Sequence, residues 1–417
     1  MTRSALMVVF HYPPFAQSSG SIRSLNFVRH LPDHDWHPIV LTARDHVYPE
    51  VDQRSLAMVP PRAAIVRAPG LDIARHLAIA GRYPTWLATP DRWNTWAFAA
   101  FIAGLVCIRR HDPAVLWATF PIASALVAAM ALHKFTRIPL IVDLRDPLVY
   151  PGWPDDRWTR ATYGGIEKRL VAMASAIVVT TPGARRLYIE RYPHLPVSRF
   201  RIIANGIDES IDVPASSSRR AVDGPIVLIH SGLMEVPDRD PTAFFEALSA
   251  MLRQGDIAAD TLRVVLRAPG RDQEYRRQIA ALGIGGVVFV EERVAHSQAI
   301  DEMERADGLL LFQGAQCNRQ IPAKVYEYLA CRRPIIGLVD SSGDTHELIA
   351  HQWQVPYVAD MESAPAIAEL LRRFIGDLRR HDVFIPAAGL VEKHSRAAGA
   401  VQLAELFDEV SSRVANA

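Results

Sequence analysis

The chain has 417 residues, 49% of them hydrophobic, with 46 basic and 45 acidic side chains and a net charge of +1. That length exceeds one hydrophobic core and makes two domains the expectation. The balanced charge excludes bulk nucleic-acid binding. Three scattered cysteines, Cys107, Cys317 and Cys331, exclude a disulfide framework or a four-thiolate zinc site and fit a reducing, cytoplasmic setting.

The opening MTRSALMVVFHYPPF has too short an apolar run for a secretory signal. ALMVVF (5–10), HPIVLTA (37–43), VLWATF (115–120), PLIVDL (139–144), AIVVTT (176–181) and RFRIIAN (199–205) read as strands. Helix-length stretches such as 21–31 and 122–135 separate them, the pattern of a parallel sheet covered on both faces. After the first strand, FHYPPFAQSSGSIRSLNF places Ser19, Gly20 and Ser21 where a loop backbone can approach a phosphate, with Arg23 adding charge. Neither the dinucleotide fingerprint nor the Lys-Ser/Thr phosphate loop is present, and a lone glycine here also reads as a plain turn.

Residues 82–96, RYPTWLATPDRWNTW, set Trp86, Trp93 and Trp96 beside Arg82 and Arg92. This suits a membrane–water boundary, and core tryptophans explain it equally well. WAFAAFIAGLVCI (96–108) is too short to span a bilayer and reads as a buried helix. VDLRDP (142–147) ends a strand with Asp143, Arg145 and Asp146. Asp146 there has the chemistry to accept a proton or orient a hydroxyl, and an Asp–Arg salt bridge is the structural alternative.

The polar, Ser-rich segment 208–225 reads as a linker, after which the strand–helix alternation restarts. Two α/β domains in tandem follow from this. IHSGLMEVPDRDP (229–241) mirrors the first strand end, with Gly232 and then Arg239 to meet a diphosphate. Asp238 and Asp240 match the Asp-x-Asp metal pattern, but Asp240-Pro241 reads as a helix cap and no metal is expected. NRQIPAKVYEYLACRRPIIG (318–337) predicts a helix with Pro322 at its first position and Gln320, Lys324 and Glu327 at its start, a placement that suits an anion, with a plain capping surface as the alternative. HELIAH (346–351) fails as a zinc motif, because His346 and His351 are five apart rather than four. The tail from Gly389 has helical apolar spacing at Leu403, Leu406 and Val410.

YPPFAQSSGSIRSLNFVRHLP, DLRDP, VVTTPGARRLY, IIANGID, HSG with RDP, and QIPAKVYEYLACRRPI, in this order, make the chain resemble the GT-B glycosyltransferases of family 4, of the bacterial polysaccharide type. The resemblance implies two Rossmann-like, doubly wound domains facing a cleft. Their expected bounds are 1–207 for the acceptor and 226–388 for the sugar nucleotide, with 389–417 returning to the first domain. It implies transfer from a nucleotide-diphosphate sugar to a lipid-linked or saccharide acceptor with retention, without metal or other cofactor. Donor contacts would come from Ser19, Gly20, Ser21, Gly232, Arg239, Gln320, Lys324 and Glu327. Catalysis would fall to Arg145, Asp146, Arg239 and Lys324, and the acceptor or membrane side to Arg82, Trp86, Arg92 and Trp93. Glu327 matches the second Glu of the family's Glu-x7-Glu motif, which holds the ribose hydroxyls, and Arg319 stands where the first Glu belongs. A sugar-nucleotide epimerase and a non-catalytic scaffold share the fold and are the competing expectations.

Overall fold

The computed structural model describes residues 3–15, 19–150, 152–207 and 224–415. It divides into two compact units, 1–205 with 396–417, and 206–395. Most of the expected linker, 208–223, lies outside the described residues.

The first unit is built on a parallel sheet of β1 (Arg3–Val8), β2 (Trp36–Ala43), β3 (Ala64–Ala68), β4 (Val115–Thr119), β5 (Leu140–Asp143), β6 (Ala176–Val179) and β7 (Phe200–Ile202), ordered β3-β2-β1-β4-β5-β6-β7. Six of these are the expected strands; β3 is an addition at the sheet edge. Alternation along the β1 segment sends Leu6, Val8 and Phe10 to one apolar layer and Ala5, Met7 and Val9 to the other, so both faces need cover. The helices Asn94–His111 and Ala123–Thr136 cover the first face. They approach closely because Gly104 has no side chain: a Cβ there would stand 2.7 Å from Leu132 Cδ1.

The other face is closed by Ser19–His30 and by the last helix, Arg396–Ala415. Leu403 and Phe407 are fully buried against it, each contributing about 1.5–3 kcal/mol. Phe407 meets the Trp36 ring edge to face at 5.1 Å, and Trp36 Nε1 donates to Asp408 at 2.9 Å. The short helix Gly389–Lys393 stays with the second unit, where the His394 ring packs on Trp353.

The second unit repeats the plan with β8 (Ile226–Ser231), β9 (Leu262–Arg267), β10 (Val288–Glu291), β11 (Gly308–Gln313), β12 (Ile335–Val339) and β13 (Val358–Ala359), ordered β10-β9-β8-β11-β12-β13. Each strand order reverses once, between β1 and β4 and between β8 and β11. Crevices open at the carboxyl ends of such strands, and ligands bind there in open α/β sheets.

Candidate active site

In the second unit the reversal falls beside the residues that end β8. His230 is fully buried, and its Nδ1 lies 2.8 Å from the Leu310 carbonyl on β11. Its Nε2 lies 3.0 Å from Nζ of Lys324. Burial, with the Lys324 charge added, holds the imidazole well below its usual pKa, so the ring is neutral. Gly232 follows with φ +109°, and a Cβ at that position would stand 3.3 Å from Lys324 Nζ. Glycine is needed twice over, for the backbone angle and for the ammonium above it.

Three backbone donors of this loop are already bonded within the fold. The N–H of Gly232 donates to Arg267, that of Met234 to Pro269, and that of Ser231 to the Tyr328 hydroxyl. The charged groups at this strand end are side chains.

Those side chains come from the helix Lys324–Ala330 and from Arg239. Tyr328 is buried, its hydroxyl donating to Leu310 at 3.1 Å, and this pins the helix to β8 and β11. Lys324 lies one turn earlier and is thereby aimed over Gly232. Its pKa is lowered to about 7, chiefly by burial and then by Arg239, with Glu327 opposing. Arg239 is half-buried, its Nε has no partner, and its Nη1 lies 3.5 Å from the Leu233 carbonyl. Glu327 is half-buried one turn beyond Lys324, and its carboxylate has no hydrogen-bond partner among the described residues.

Pro322 precedes the helix by two residues instead of opening it, because the chain first makes a turn in which Val325 N–H bonds to the Pro322 carbonyl. The Gln320 carbonyl accepts from Gln313 Nε2 at 2.7 Å and from Thr345 at 3.1 Å, so this residue fixes the bend ahead of Lys324 through its backbone. Beside Gly232, an open recess of about 700 Å³ is lined by Leu233, Gly270, Arg271, Arg277 and Arg293 among others.

Asp240 caps the helix Thr242–Gln254, accepting from Thr242 N–H at 2.9 Å. Among the described residues no three His, Cys, Asp or Glu side chains converge as a metal site. A spacing of five does not hold the HELIAH histidines apart, because residues 347–352 form a π-turn that brings the His346 and His351 rings to 5.3 Å. Cys107, Cys317 and Cys331 are all buried, and none forms a disulfide among the described residues.

In the first unit, Ser19, Gly20 and Ser21 form the first turn of the helix Ser19–His30, not a loop ahead of it. Ser21 is buried. Arg23 does not face a ligand: its guanidinium forks onto buried Asp143 and the carbonyls of Ile203 and Ala204. Arg145 Nε donates to the Phe120 carbonyl at 3.0 Å, bridging the ends of β4 and β5. Asp146 stands on the outer side of this loop with its surface exposed. The surrounding protein raises its pKa, the Arg145 charge opposes this, and Asp143 adds to it.

His11, just past β1, was not among the expected site residues. Its ring stacks on Phe15 at 4.0 Å, and Nε2 is buried without a partner. Burial, helped by Arg145, lowers its pKa to about 3. Its position directly after an apolar strand was the available signal.

The tryptophan cluster divides. Trp96 is fully buried, and Trp93 packs 4.9 Å from Phe10. Arg92 pairs with buried Asp72 and lies over the Trp93 ring. Arg92 and Trp93 are therefore half-buried and tied into the fold by an ion pair and ring packing. Trp86 is 68% exposed, and Arg82 is exposed as well. The helix Asn94–His111, expected to be buried, presents Phe98, Ile102 and Val106 outward at four-residue spacing. No helix among the described residues is long and apolar enough to cross a membrane.

Residues 20–206 match the family model described as "Glycosyl transferase 4-like domain". The described residues also superpose on solved glycosyltransferases over nearly their whole length. Sucrose-phosphate synthase from Thermosynechococcus elongatus has a TM-score of 0.64 at 13% identity, with 99% of this chain and 100% of that one covered. The lipopolysaccharide outer core galactosyltransferase WaaB gives 0.63 at 10%, covering 97% and 99%. Anabaena HepE in complex with UDP-glucose gives 0.59 at 14%, covering 99% and 98%. No curated protein matches in sequence. The fold is that of the GT-B glycosyltransferases. The domain match adds a glycosyl transferase 4-like domain within the first unit.

Proposed function

We propose that the chain moves a sugar from a nucleotide-diphosphate sugar held by its second unit to a lipid-linked or saccharide acceptor held by its first, without a metal. The carrying observation is the ammonium of Lys324 over Gly232, with Arg239 near it and the unpartnered Glu327 carboxylate one turn away. Cations there offset the charge that builds on a departing diphosphate, and a carboxylate with two free oxygens matches the vicinal hydroxyls of a ribose. The recess beside Leu233 and Gly270 supplies room for a nucleoside. In the first unit Asp146 orients the acceptor hydroxyl, with Arg145 setting the loop. Transfer with retention in cell-surface polysaccharide synthesis is part of the same reading.

The acceptor's lipid character is supported by the outward face of Asn94–His111. Phe98, Ile102 and Val106 are exposed there, and Phe135 on the next helix is 72% exposed with its ring 5.2 Å from Phe101. The two helices carry Arg109, Arg110 and Lys134 and not one acidic residue. Apolar and basic side chains together suit an anionic lipid surface.

Thermal denaturation of the full chain with a panel of UDP-, GDP- and ADP-sugars tests the donor half. A true donor raises the melting point by mass action in the native protein and much less in Glu327→Ala. No shift with any nucleotide sugar would sink the reading. Release of a free sugar-nucleotide isomer from donor alone would replace it with an epimerase.

A further inference from the structure

Lysine ammonium groups are ordinarily paired with carboxylates or left in water. Lys324 is hydrogen-bonded to a neutral imidazole instead. The His230 ring donates its one proton through Nδ1 to Leu310, which leaves Nε2 as a bare acceptor, and Phe312 packs edge to face against the same ring at 5.2 Å. The ring therefore cannot turn to offer a donor, and the only direction left for its lone pair is toward Nζ. With Gly232 below and Tyr328 anchoring the helix one turn on, Nζ is held at one point.

We propose that His230 is a positioning residue for Lys324, and that a nucleotide sugar binding beside them draws a proton from solvent onto this pair. The inference rests on reading Lys324 as the diphosphate contact. The charged groups that act on the amine are Arg239, which disfavours its protonation, and Glu327, which favours it. The Tyr328 hydroxyl is held above its ordinary pKa and the Cys331 thiol is pushed up to about 12, so both stay protonated and neither competes.

With its pKa lowered to about 7, the amine of the free protein is part-neutral at that pH. A diphosphate placed against it favours the ammonium and restores the charge. Proton and anion arrive together; no covalent bond changes. His230 accepts from Nζ in both states, so the amine is aimed whether or not it is charged.

Calorimetric titration of the full chain with UDP-glucose, GDP-mannose and ADP-glucose, in PIPES, HEPES and Tris at matched pH, measures the uptake directly. The diphosphate diester of a nucleotide sugar has no group titrating near neutrality, so buffer-dependent heat reports the protein. Uptake of about half a proton is expected at pH 7, falling toward zero at pH 6 and rising toward one at pH 8. Lys324→Arg, always charged, should bind with uptake abolished. His230→Asn should lower affinity about tenfold by freeing Nζ, and His230→Gln, with a longer acceptor, serves if Asn fails to fold. Binding by the wild type with no buffer dependence would overturn the inference and leave the donor reading standing. Unchanged uptake in Lys324→Arg would overturn it equally, and absence of binding by every nucleotide sugar would sink both.

Discussion

Arg23 and Asp143, 120 residues apart, form a two-pronged buried ion pair: Nε lies 2.8 Å from Oδ2 and Nη2 3.4 Å from Oδ1. Both side chains are almost wholly out of water. The same guanidinium also bonds two carbonyls past β7, so one residue ties the first helix, β5 and the end of the sheet. Deleting one partner leaves the other charge buried and alone. Arg23→Ala should therefore cost the first unit about 3–5 kcal/mol in urea unfolding, with nucleotide-sugar affinity unchanged. A stable variant with weakened nucleotide binding would instead make Arg23 a ligand.

Lys324 and Arg239 are expected to act on the leaving group more than on the ground state. Removing a charge that stabilises a developing anion typically costs about 10²–10³ in kcat. Single Ala variants should show that loss in steady-state transfer assays, with KM rising only about tenfold, so that the effect on kcat exceeds the effect on binding. Full kcat in both would remove them from the chemistry.

Gly232→Ala puts a methyl where the Lys324 ammonium sits and imposes a left-handed backbone on a residue that resists it. Strain of about 1–3 kcal/mol should lower the melting temperature. The displaced amine should also erase much of the stabilisation by nucleotide sugars. Scanning calorimetry with and without ligand separates these two effects.

The strands were legible because a doubly covered parallel sheet needs continuous apolar runs, and LIVD or GLLLFQ offer little else. β3 and β13 escaped because edge strands bury little: β3 is half-exposed along four of its five residues, and β13 has only two. The helix that carries Lys324 and Glu327 was readable from the pattern VYEYLA ahead of Arg332 and Arg333. Arg23 was misjudged because its partner lies far along the chain, and charge alone does not distinguish a buried clamp from a ligand. His230 carried no local pattern, and its meaning comes from depth and from a neighbour on another strand; His11 offered only its place after an apolar strand, and its burial against Phe15 shows in the fold alone. Trp93 and Trp86 look alike in sequence, and only the path of the loop turns one in and leaves the other out.

The outward stripe of Asn94–His111 gives a surface prediction. Phe98→Asp with Ile102→Asp should abolish co-sedimentation with vesicles containing anionic lipid while leaving nucleotide-sugar stabilisation intact, since the change lies on solvent-facing positions. Binding by the wild type should weaken with added salt, through the screening of Arg109, Arg110 and Lys134. If the wild type ignores such vesicles and sediments as a dimer instead, the stripe is a contact between copies.

His11 makes the chain sensitive to acid in a calculable direction. Its folded pKa, lowered to about 3, lies below the ordinary 6.5. As pH falls through 6.5 the unfolded chain takes up this proton and the folded one does not. Stability from His11 is thus fully present above 6.5 and is lost downward until about 3. Between pH 7.5 and 5 the loss is about 2 kcal/mol, from 1.36 kcal/mol per pH unit below 6.5. His11→Phe keeps an aromatic ring against Phe15 and has nothing to protonate. Its unfolding free energy should therefore fall about 2 kcal/mol less than the wild type's over that interval, with the remaining slope carried by buried His230 and other groups. Equal slopes for the two proteins in urea titrations at pH 7.5 and 5 would mean that His11 is solvated and free to charge in the fold.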